Sequence, residues 1–266
     1  MEFIIYPTKT PIIGHLFGCP VRYYGAIMAL VFLIGIILAY FLFQKKISKN
    51  EANIFLDYSP VVIFMSLIGA RFFYILGSLD YYLNFPKEII MINHGGLSIF
   101  GAIFFGLVSI YVISRKSSFS FLKHLDIIAV VFPLCQAIGR LGNYFNQEAY
   151  GLPSNGIFKL FVDEAYRVEK YSNIQYFHPT FLYESFFNLL IFTFLISLFF
   201  AKKDLKKGTI ACLYLILYSS VRFVIEGIRI DSVMNLSTIP VVQIICVIVF
   251  VLSFMCLLYL NKKSAE

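Results

Sequence analysis

Seven long apolar segments constrain the fold of this 266-residue chain more than any other feature. A helix needs about 20 mostly apolar residues to cross the hydrocarbon core of a bilayer. The strand-length alternation that is typical of outer-membrane barrels is not seen in this sequence. The sequence therefore predicts an all-α integral membrane protein with seven transmembrane helices, at roughly residues 23–43, 58–79, 95–114, 122–139, 180–200, 209–228 and 240–260.

The composition excludes the main alternative classes of protein. Charged residues make up 14% of the chain, whereas a soluble domain has about 25%. The hydrophobic fraction of 59% is incompatible with intrinsic disorder. Five cysteines are too few for a secreted disulfide scaffold of this size, and their spacing shows no metal-ligand pattern. We therefore expect neither a metal nor another cofactor.

The distribution of lysine and arginine predicts the orientation in the membrane. Twelve of the 22 basic residues fall in four short segments that alternate with longer, less basic ones. Cytoplasmic segments are rich in such residues, so the N-terminus is expected outside and the C-terminus in the cytoplasm. The net charge of +7 is then mostly an orientation signal, and no nucleic-acid partner is expected. The four segments contain Lys45, Lys46 and Lys49, then Arg115, Lys116 and Lys123, then Lys202, Lys203, Lys206 and Lys207, and finally Lys262 and Lys263.

One segment on the outer side is long enough to form a structure of its own. Residues 152–177 are expected to form a small extracytoplasmic head with short β structure, inserted between the fourth and fifth helices of a single membrane domain, 1–266. Within it, residues 156–163 and 166–169 are expected to pair as a hairpin around Asp163 and Glu164.

Charged side chains inside the apolar segments are the first indication of a functional site. Each costs at least ~2.5–3.5 kcal/mol to insert, so it needs a partner or a role. Arg71 lies within the second helix. Tyr218, Arg222, Glu226 and Arg229 share one face of the sixth, because residues three or four apart lie together on a helix. Alternatively, Arg222 and Glu226 simply neutralise each other within that helix.

A polar, glycine-containing stretch, residues 139–151, follows the fourth helix. Its candidate ligand residues are Arg140, Asn143, Asn146, Glu148 and Gly151. Irregular polar backbone at membrane depth is tolerated only inside protein or beside a water-filled cavity. The alternative is a helix end that leads into an ordinary polar loop.

Two more stretches approach the same side of the membrane. Gly95 and Gly96 precede the third helix, and His178 and Glu184 open the fifth. Together with the three arginines at 71, 140 and 222, they predict an outward-facing cavity. Guanidinium groups suit phosphate oxygens, so an anionic phospholipid headgroup is the expected ligand. Residue chemistry alone does not name a reaction.

Residues 139–148 closely resemble the signature of the bacterial prolipoprotein diacylglyceryl transferase family. The resemblance extends over nearly the whole chain. In the fifth-helix motif Phe181 stands where glutamine is usual. The further matching motifs are Arg22-Tyr23-Tyr24-Gly25, then Gly69-Ala70-Arg71 with Tyr74, then His178-Pro179-Thr180 with Leu182-Tyr183-Glu184, and finally Tyr218, Arg222, Phe223, Glu226, Arg229 and Asp231.

The resemblance implies a reaction at the outer face of the bacterial cytoplasmic membrane. A diacylglyceryl group moves from phosphatidylglycerol to the lipobox cysteine thiol of a preprolipoprotein. The products are a thioether and glycerol phosphate, and this is the first step of lipoprotein maturation. The implied partners are phosphatidylglycerol, preprolipoprotein signal peptides and membrane lipid.

The resemblance also implies roles for individual residues. Arg140 and Arg222 would bind the phosphate, because fixed cations stabilise a departing anion. Tyr24 and Tyr218 would donate hydroxyl groups, and Glu226 would orient Arg222. Other substrate-binding residues are expected to be Asn143, Asn146, Glu148, Gly151, Arg71, His178, Glu184, Arg229, Gly95 and Gly96.

Phe100 departs from the family pattern, since this position usually carries His or Tyr. A phenyl ring cannot take the proton of the thiol. Either the base is dispensable or supplied by His94, Glu226 or a tyrosine, or the chain is a lipid-binding paralogue with lost or altered activity. We favour the first because the arginine and asparagine signature is intact. A transporter of an anionic solute is a third alternative, but the repeat symmetry typical of transporters is not seen in the sequence.

Overall fold

The computed structural model describes residues 3–8, 10–16, 18–91, 95–116, 119–202, 205–230, 235–236 and 239–262. Seven of the described helices are long and apolar enough to span a membrane, as predicted. They are α1 (Tyr23–Lys46), α2 (Lys49–Gly77), α4 (Ile99–Lys116), α5 (Phe121–Asn146), α6 (Thr180–Ala201), α7 (Thr209–Glu226) and α8 (Val241–Lys262). A short helix, α3 (Leu79–Asn84), and a 3₁₀ turn, Pro86–Ile90, follow α2.

Two helices extend beyond the apolar segments that predict them. α2 begins at Lys49 rather than near residue 58, because the Ser48 side chain accepts a hydrogen bond from the Glu51 N–H at 3.1 Å. This is an N-cap, which fixes a helix start within polar sequence. α5 continues to Asn146, so the first half of the polar stretch is helical rather than irregular.

The chain forms two compact units. The first comprises Met1–Ile37 and Leu125–Glu266, and the second comprises Leu38–His124. In the first unit α7 packs against both α6 and α8, and in the second α2 packs against α4.

Small residues bring the backbones of α2 and α4 into direct contact. A Cβ atom on Gly101 would overlap the carbonyl oxygen of Gly69, and one on Gly69 would lie 2.5 Å from that of Gly101. Likewise, a Cβ on Gly106 would meet the Ser66 hydroxyl at 2.7 Å. Close approach at small residues is how membrane helices gain packing energy without a hydrophobic driving force.

Short strands form three small sheets in the described part of the first unit. In the largest, β4 (Phe158–Phe161) pairs in parallel with β1 (Phe3–Ile5) and antiparallel with β5 (Tyr176–Phe177). The second sheet joins β2 (Ile12–Leu16) to β3 (Cys19–Arg22), and the third joins β6 (Asn235–Leu236) to β7 (Ile239–Pro240).

The predicted hairpin around Asp163 and Glu164 is wrong in its pairing. Residues 164–166 and 169–171 form 3₁₀ turns, and β5 supplies the antiparallel strand. Asp163 is instead held by the side-chain amide of Gln147 through two hydrogen bonds. The Gln147 Nε2 donates to Asp163 Oδ2 at 2.6 Å, and the Asp163 N–H donates to Gln147 Oε1 at 2.8 Å.

The head has its own apolar core. Its buried side chains include Leu160, Val162 and Phe177, which pack with Tyr150 and with Phe181 from the first turn of α6. Phe181, the residue that departs from the fifth-helix motif, therefore joins the head to the membrane helices. This core packs the head against the first turn of α6.

Candidate active site

A single buried carboxylate, that of Glu184, joins three transmembrane helices. Its Oε1 accepts hydrogen bonds from Arg140 Nη2 at 2.7 Å and from the Tyr218 hydroxyl at 3.3 Å. Its Oε2 accepts one from Arg222 Nη1 at 2.7 Å. The side chain of Glu184 is only 2% exposed. Residues predicted separately on α5, α6 and α7 are thus brought together at one point.

Arg222 also pairs within its own helix. Its Nη2 donates to Glu226 Oε2 at 2.5 Å, which is the intrahelical pair that the sequence offers as an alternative reading. Because Arg222 contacts Glu184 as well as Glu226, it does more than neutralise a carboxylate of its own helix. Arg140 and Arg222 are thus paired with the carboxylates of Glu184 and Glu226. Ion pairing with hydrogen bonds limits the cost of charge at membrane depth.

The signature residues at the end of α5 continue this network. Arg140 Nη1 reaches Asn143 Oδ1 at 3.4 Å. The amide nitrogens of Asn143 and Asn146 both donate to Glu148 Oε1, each at 2.9 Å. A connected path of polar groups therefore runs from Glu226 to Glu148.

The irregular backbone after α5 is not made by glycine. Gln147 and Ala149 have φ values of 52° and 57°, in the left-handed region that glycine usually occupies. Gly142 instead serves packing, because a Cβ there would lie 2.7 Å from the ring of Tyr24. Tyr24, at the start of α1, is thereby placed against the signature helix. Residues with a left-handed backbone, such as Gln147 and Ala149, persist where the surroundings fix them, and they cluster at functional sites.

Gly151 is where the segments around α6 and α7 converge. Its N–H donates to the His178 carbonyl at 2.8 Å, and its backbone forms a β-bridge with Arg229. A Cβ on Gly151 would lie 2.8 Å from the carbonyl oxygen of Ile228. His178 Nδ1 lies 3.2 Å from the Tyr183 hydroxyl. The predicted residues Gly151, His178 and Arg229 are thus brought together through backbone contacts.

An open cleft of about 470 Å³ lies beside the end of α5. Asn146, Gln147 and Glu148 line one part of it, and Arg22 and Tyr166 line others. The cleft thus connects the signature residues with the head. Gln147 is a functional candidate that sequence reasoning missed, although it lies inside the signature stretch.

Arg71 lies in the second unit and organises the chain between α3 and α4. Its Nε donates to the Ile89 carbonyl at 2.9 Å, and its Nη1 donates to those of Gly95 and Gly96 at 2.6 and 3.0 Å. Its Nη2 donates to the Glu88 and Met91 carbonyls. These contacts give Arg71 a structural role, and its contact with substrate, together with that of the two glycines, stays a prediction.

Phe100 lies in the first turn of α4 and is 48% exposed. Two residues named for the site from sequence, His94 and Asp231, lie outside the described residues. Among the residues that the structure describes, no cluster of His, Cys, Asp or Glu could hold a metal ion.

The order of these residues along the chain is that of a known family. The family model for prolipoprotein diacylglyceryl transferase matches residues 11–259. The chain belongs to this family. Membership makes it an enzyme of the transferase class and, with its seven apolar helices, a multi-pass membrane protein.

Similar proteins of known name cover almost the whole chain. A phosphatidylglycerol–prolipoprotein diacylglyceryl transferase of Thermotoga maritima is 38% identical over 252 residues, which are 93% of this chain and 83% of that protein. One from Gloeobacter violaceus is 38% identical over 259 residues, covering 96% and 94% of the two chains. One from Acaryochloris marina is 36% identical over 270 residues, covering 99% and 96%.

Proposed function

We propose that this chain transfers the diacylglyceryl group of phosphatidylglycerol to the lipobox cysteine thiol of preprolipoproteins. The reaction takes place at the outer face of the bacterial cytoplasmic membrane and releases glycerol phosphate. The observation that carries this proposal is the Glu184-centred network, which holds two guanidinium groups in one buried place. Membership of the family supports the choice of substrates.

The chemical step needs a fixed positive field. The cysteine sulfur attacks the glycerol carbon that carries the phosphate, a carbon–sulfur bond forms, and the carbon–oxygen bond breaks. The electron pair leaves with glycerol phosphate, so negative charge develops on the phosphate oxygens. Arg140 and Arg222 stabilise that charge, and because Glu184 holds both side chains in advance, little reorganisation is needed during the reaction.

The two arginines have different parts in binding. Arg140 is 25% exposed and uses one short hydrogen bond, to Glu184, and a longer one to Asn143. It keeps donor capacity for an incoming phosphate. Arg222 is 12% exposed and uses both terminal nitrogens on carboxylates. We assign first contact with the phosphate to Arg140 and charge stabilisation during bond breaking to Arg222.

The thiol must lose its proton to become a nucleophile. Phe100 cannot accept it, so another group in or near the network does so. Tyr24, Tyr218 and Glu226 are the described candidates. Tyr24 is well placed because its ring packs on Gly142, one residue before Asn143.

The direct test is to mix purified protein, phosphatidylglycerol vesicles and a lipobox peptide, and then to weigh the peptide by mass spectrometry. The expected result is a mass gain of one diacylglyceryl group on the cysteine peptide and none on a peptide with serine in its place. The Thermotoga maritima relative serves as a positive control. If the relative modifies the peptide and this chain does not, the lipid-binding paralogue becomes the better description.

A further inference from the structure

A second layer of polar side chains lies one helical turn deeper than the Glu184 network. Gln136 precedes Arg140 by four residues on α5, Tyr214 precedes Tyr218 by four on α7, and Asn188 follows Glu184 by four on α6. Because α6 runs opposite to α5 and α7, all three four-residue steps lead the same way, about 6 Å further along the bundle.

Contacts between the helices support this layering. The Ser185 hydroxyl donates to the Ala137 carbonyl at 2.8 Å, so advancing along α6 corresponds to moving back along α5. The Tyr214 hydroxyl donates to Gln136 Oε1 at 2.9 Å, which pairs two of the three members. The rings of Tyr214 and Tyr218 stack at 5.8 Å and connect the two layers.

Asn188 is the unpaired member of the deeper layer. Its exposed fraction is 0%, and neither Nδ2 nor Oδ1 has a hydrogen-bond partner among the described residues. A buried polar group without a partner destabilises the fold, whereas an apolar side chain of the same shape does not. The amide is therefore suited to a ligand group that occupies this layer during function.

The depth of the layer indicates which part of the donor lipid that group is. In a phospholipid the carboxylic ester groups lie on the acyl-chain side of the phosphate. If Arg140 and Arg222 bind the phosphate and the chains point into the membrane, an ester carbonyl reaches the level of Asn188. An ester carbonyl accepts hydrogen bonds, and the Asn188 amide nitrogen is a donor.

We propose that Asn188 forms a subsite for a carboxylic ester of the donor lipid, with its Nδ2–H donating to the ester carbonyl. This inference rests on the proposed function and adds a specificity contact that the phosphate network does not supply. Recognition of the ester would make the enzyme prefer diester lipids to diether lipids that carry the same phosphate and headgroup.

The test compares diester and diether phosphatidylglycerol with matched chains as donors. Diether lipid keeps the phosphate and the carbon that sulfur attacks, but it lacks the carbonyl oxygens. The unsubstituted enzyme should use the diester with a kcat/KM about three- to tenfold higher, as expected for one neutral hydrogen bond. Asn188→Leu should bring the ratio of the two close to one. Thr193→Val, on an exposed face of α6, should keep the original ratio.

A stability measurement separates this subsite from a merely structural asparagine. Without lipid, Asn188→Leu should melt at the same temperature as the unsubstituted chain or higher, because an unpaired buried amide is removed. A variant that loses the ester preference without losing stability supports the subsite. Equal slowing with both lipids, or an unchanged ratio, would overturn it.

Failure of the proposed function would be visible separately. If the unsubstituted chain transferred nothing from either lipid, thermal stabilisation by diester and diether vesicles would still report on the subsite. The diester should stabilise the unsubstituted chain more strongly than the diether, and Asn188→Leu should remove the difference. Equal stabilisation of the unsubstituted chain by both vesicles would overturn the subsite whatever the catalytic result.

Discussion

Both arginines of the site depend on one residue, Glu184, which accepts a hydrogen bond from each guanidinium group. Replacing Glu184 by Gln keeps the shape but leaves two buried cations facing a neutral amide. Breaking a buried pair lowers the free energy of unfolding by about 3–5 kcal/mol, so the melting temperature should fall. Because both arginines lose the group that holds them in place, we also expect transfer to fall at least about 100-fold. The peptide mass assay and a thermal scan measure both.

A matched control for Glu184→Gln is Glu169→Gln, in an exposed turn of the head. That variant should keep full activity and stability. Near-normal transfer by Glu184→Gln would mean that the arginines hold their places without it, and the assigned role of Glu184 would be wrong.

Truncation to alanine should affect transfer little at Phe100 and strongly at Arg140. Phe100 has no group that exchanges a proton, so Phe100→Ala should keep transfer within about threefold, a change that corresponds to less than 1 kcal/mol. Arg140→Ala should abolish transfer, because it removes a phosphate ligand and leaves Glu184 with one fewer partner. Initial rates of peptide modification measure both. Equal losses of transfer in the two variants would show that position 100, in α4, acts in catalysis even when it carries phenylalanine.

Sequence patterns predict the contacts of these residues within a helix but not their contacts between helices. Helical spacing placed Arg222 and Glu226 on one face, and the structure pairs them. The contacts of the two arginines with Glu184 join α5 and α7 to α6, and a local pattern cannot encode contacts between helices. The same limit applies to Arg71, whose charge suggested a phosphate ligand but whose donors contact backbone carbonyls.

At the scale of elements, the N-terminus of α7 is capped by another helix. Gly208 precedes α7 with a φ of 92° and has no side chain to cap it. Asp126 of α5 accepts hydrogen bonds from the N–H groups of Gly208 and Ala211, at 2.7 and 2.9 Å. In the sequence, Asp126 only makes the apolar segment that predicts α5 less hydrophobic. In the structure it stabilises the helix that carries Arg222.

Loss of this cap should destabilise the protein. Asp126→Ala should lower the free energy of unfolding by about 1–2 kcal/mol, and Asp126→Asn by less, because an amide retains one acceptor. Denaturant titration in detergent measures both. Asp57→Ala, at an exposed position of α2, is the control and should change the midpoint little. An equal effect at the two sites would argue against the cap.

The backbone contact between α2 and α4 gives a second prediction at this scale. Gly101→Ala should destabilise strongly, because the added methyl group would meet the Gly69 carbonyl. Gly77→Ala, where a Cβ meets nothing within 4 Å, should be neutral or slightly stabilising. Thermal scans of both variants decide the matter, and similar melting temperatures would contradict the close packing.

For the whole molecule, hydropathy predicts the number of transmembrane helices well, since each must match the bilayer by itself. It does not predict the two compact units, whose boundaries fall inside α1 and α5. It also misses that β1, near the N-terminus, joins the sheet of the head. Such pairings depend on contacts distant in sequence, and residues 3–5 are too few to show a pattern.

The predicted orientation can be tested on intact cells. Basic residues are concentrated before α2, between α4 and α5, between α6 and α7, and after α8, which places the head outside. In Asn173→Cys, an exposed residue of the head, the thiol should react with a membrane-impermeant maleimide without permeabilisation. In Lys207→Cys, between α6 and α7, it should react only after permeabilisation, and the unsubstituted chain gives the background from native cysteines. The reverse pattern would place the Glu184 network at the cytoplasmic face and exclude transfer to exported lipoprotein precursors.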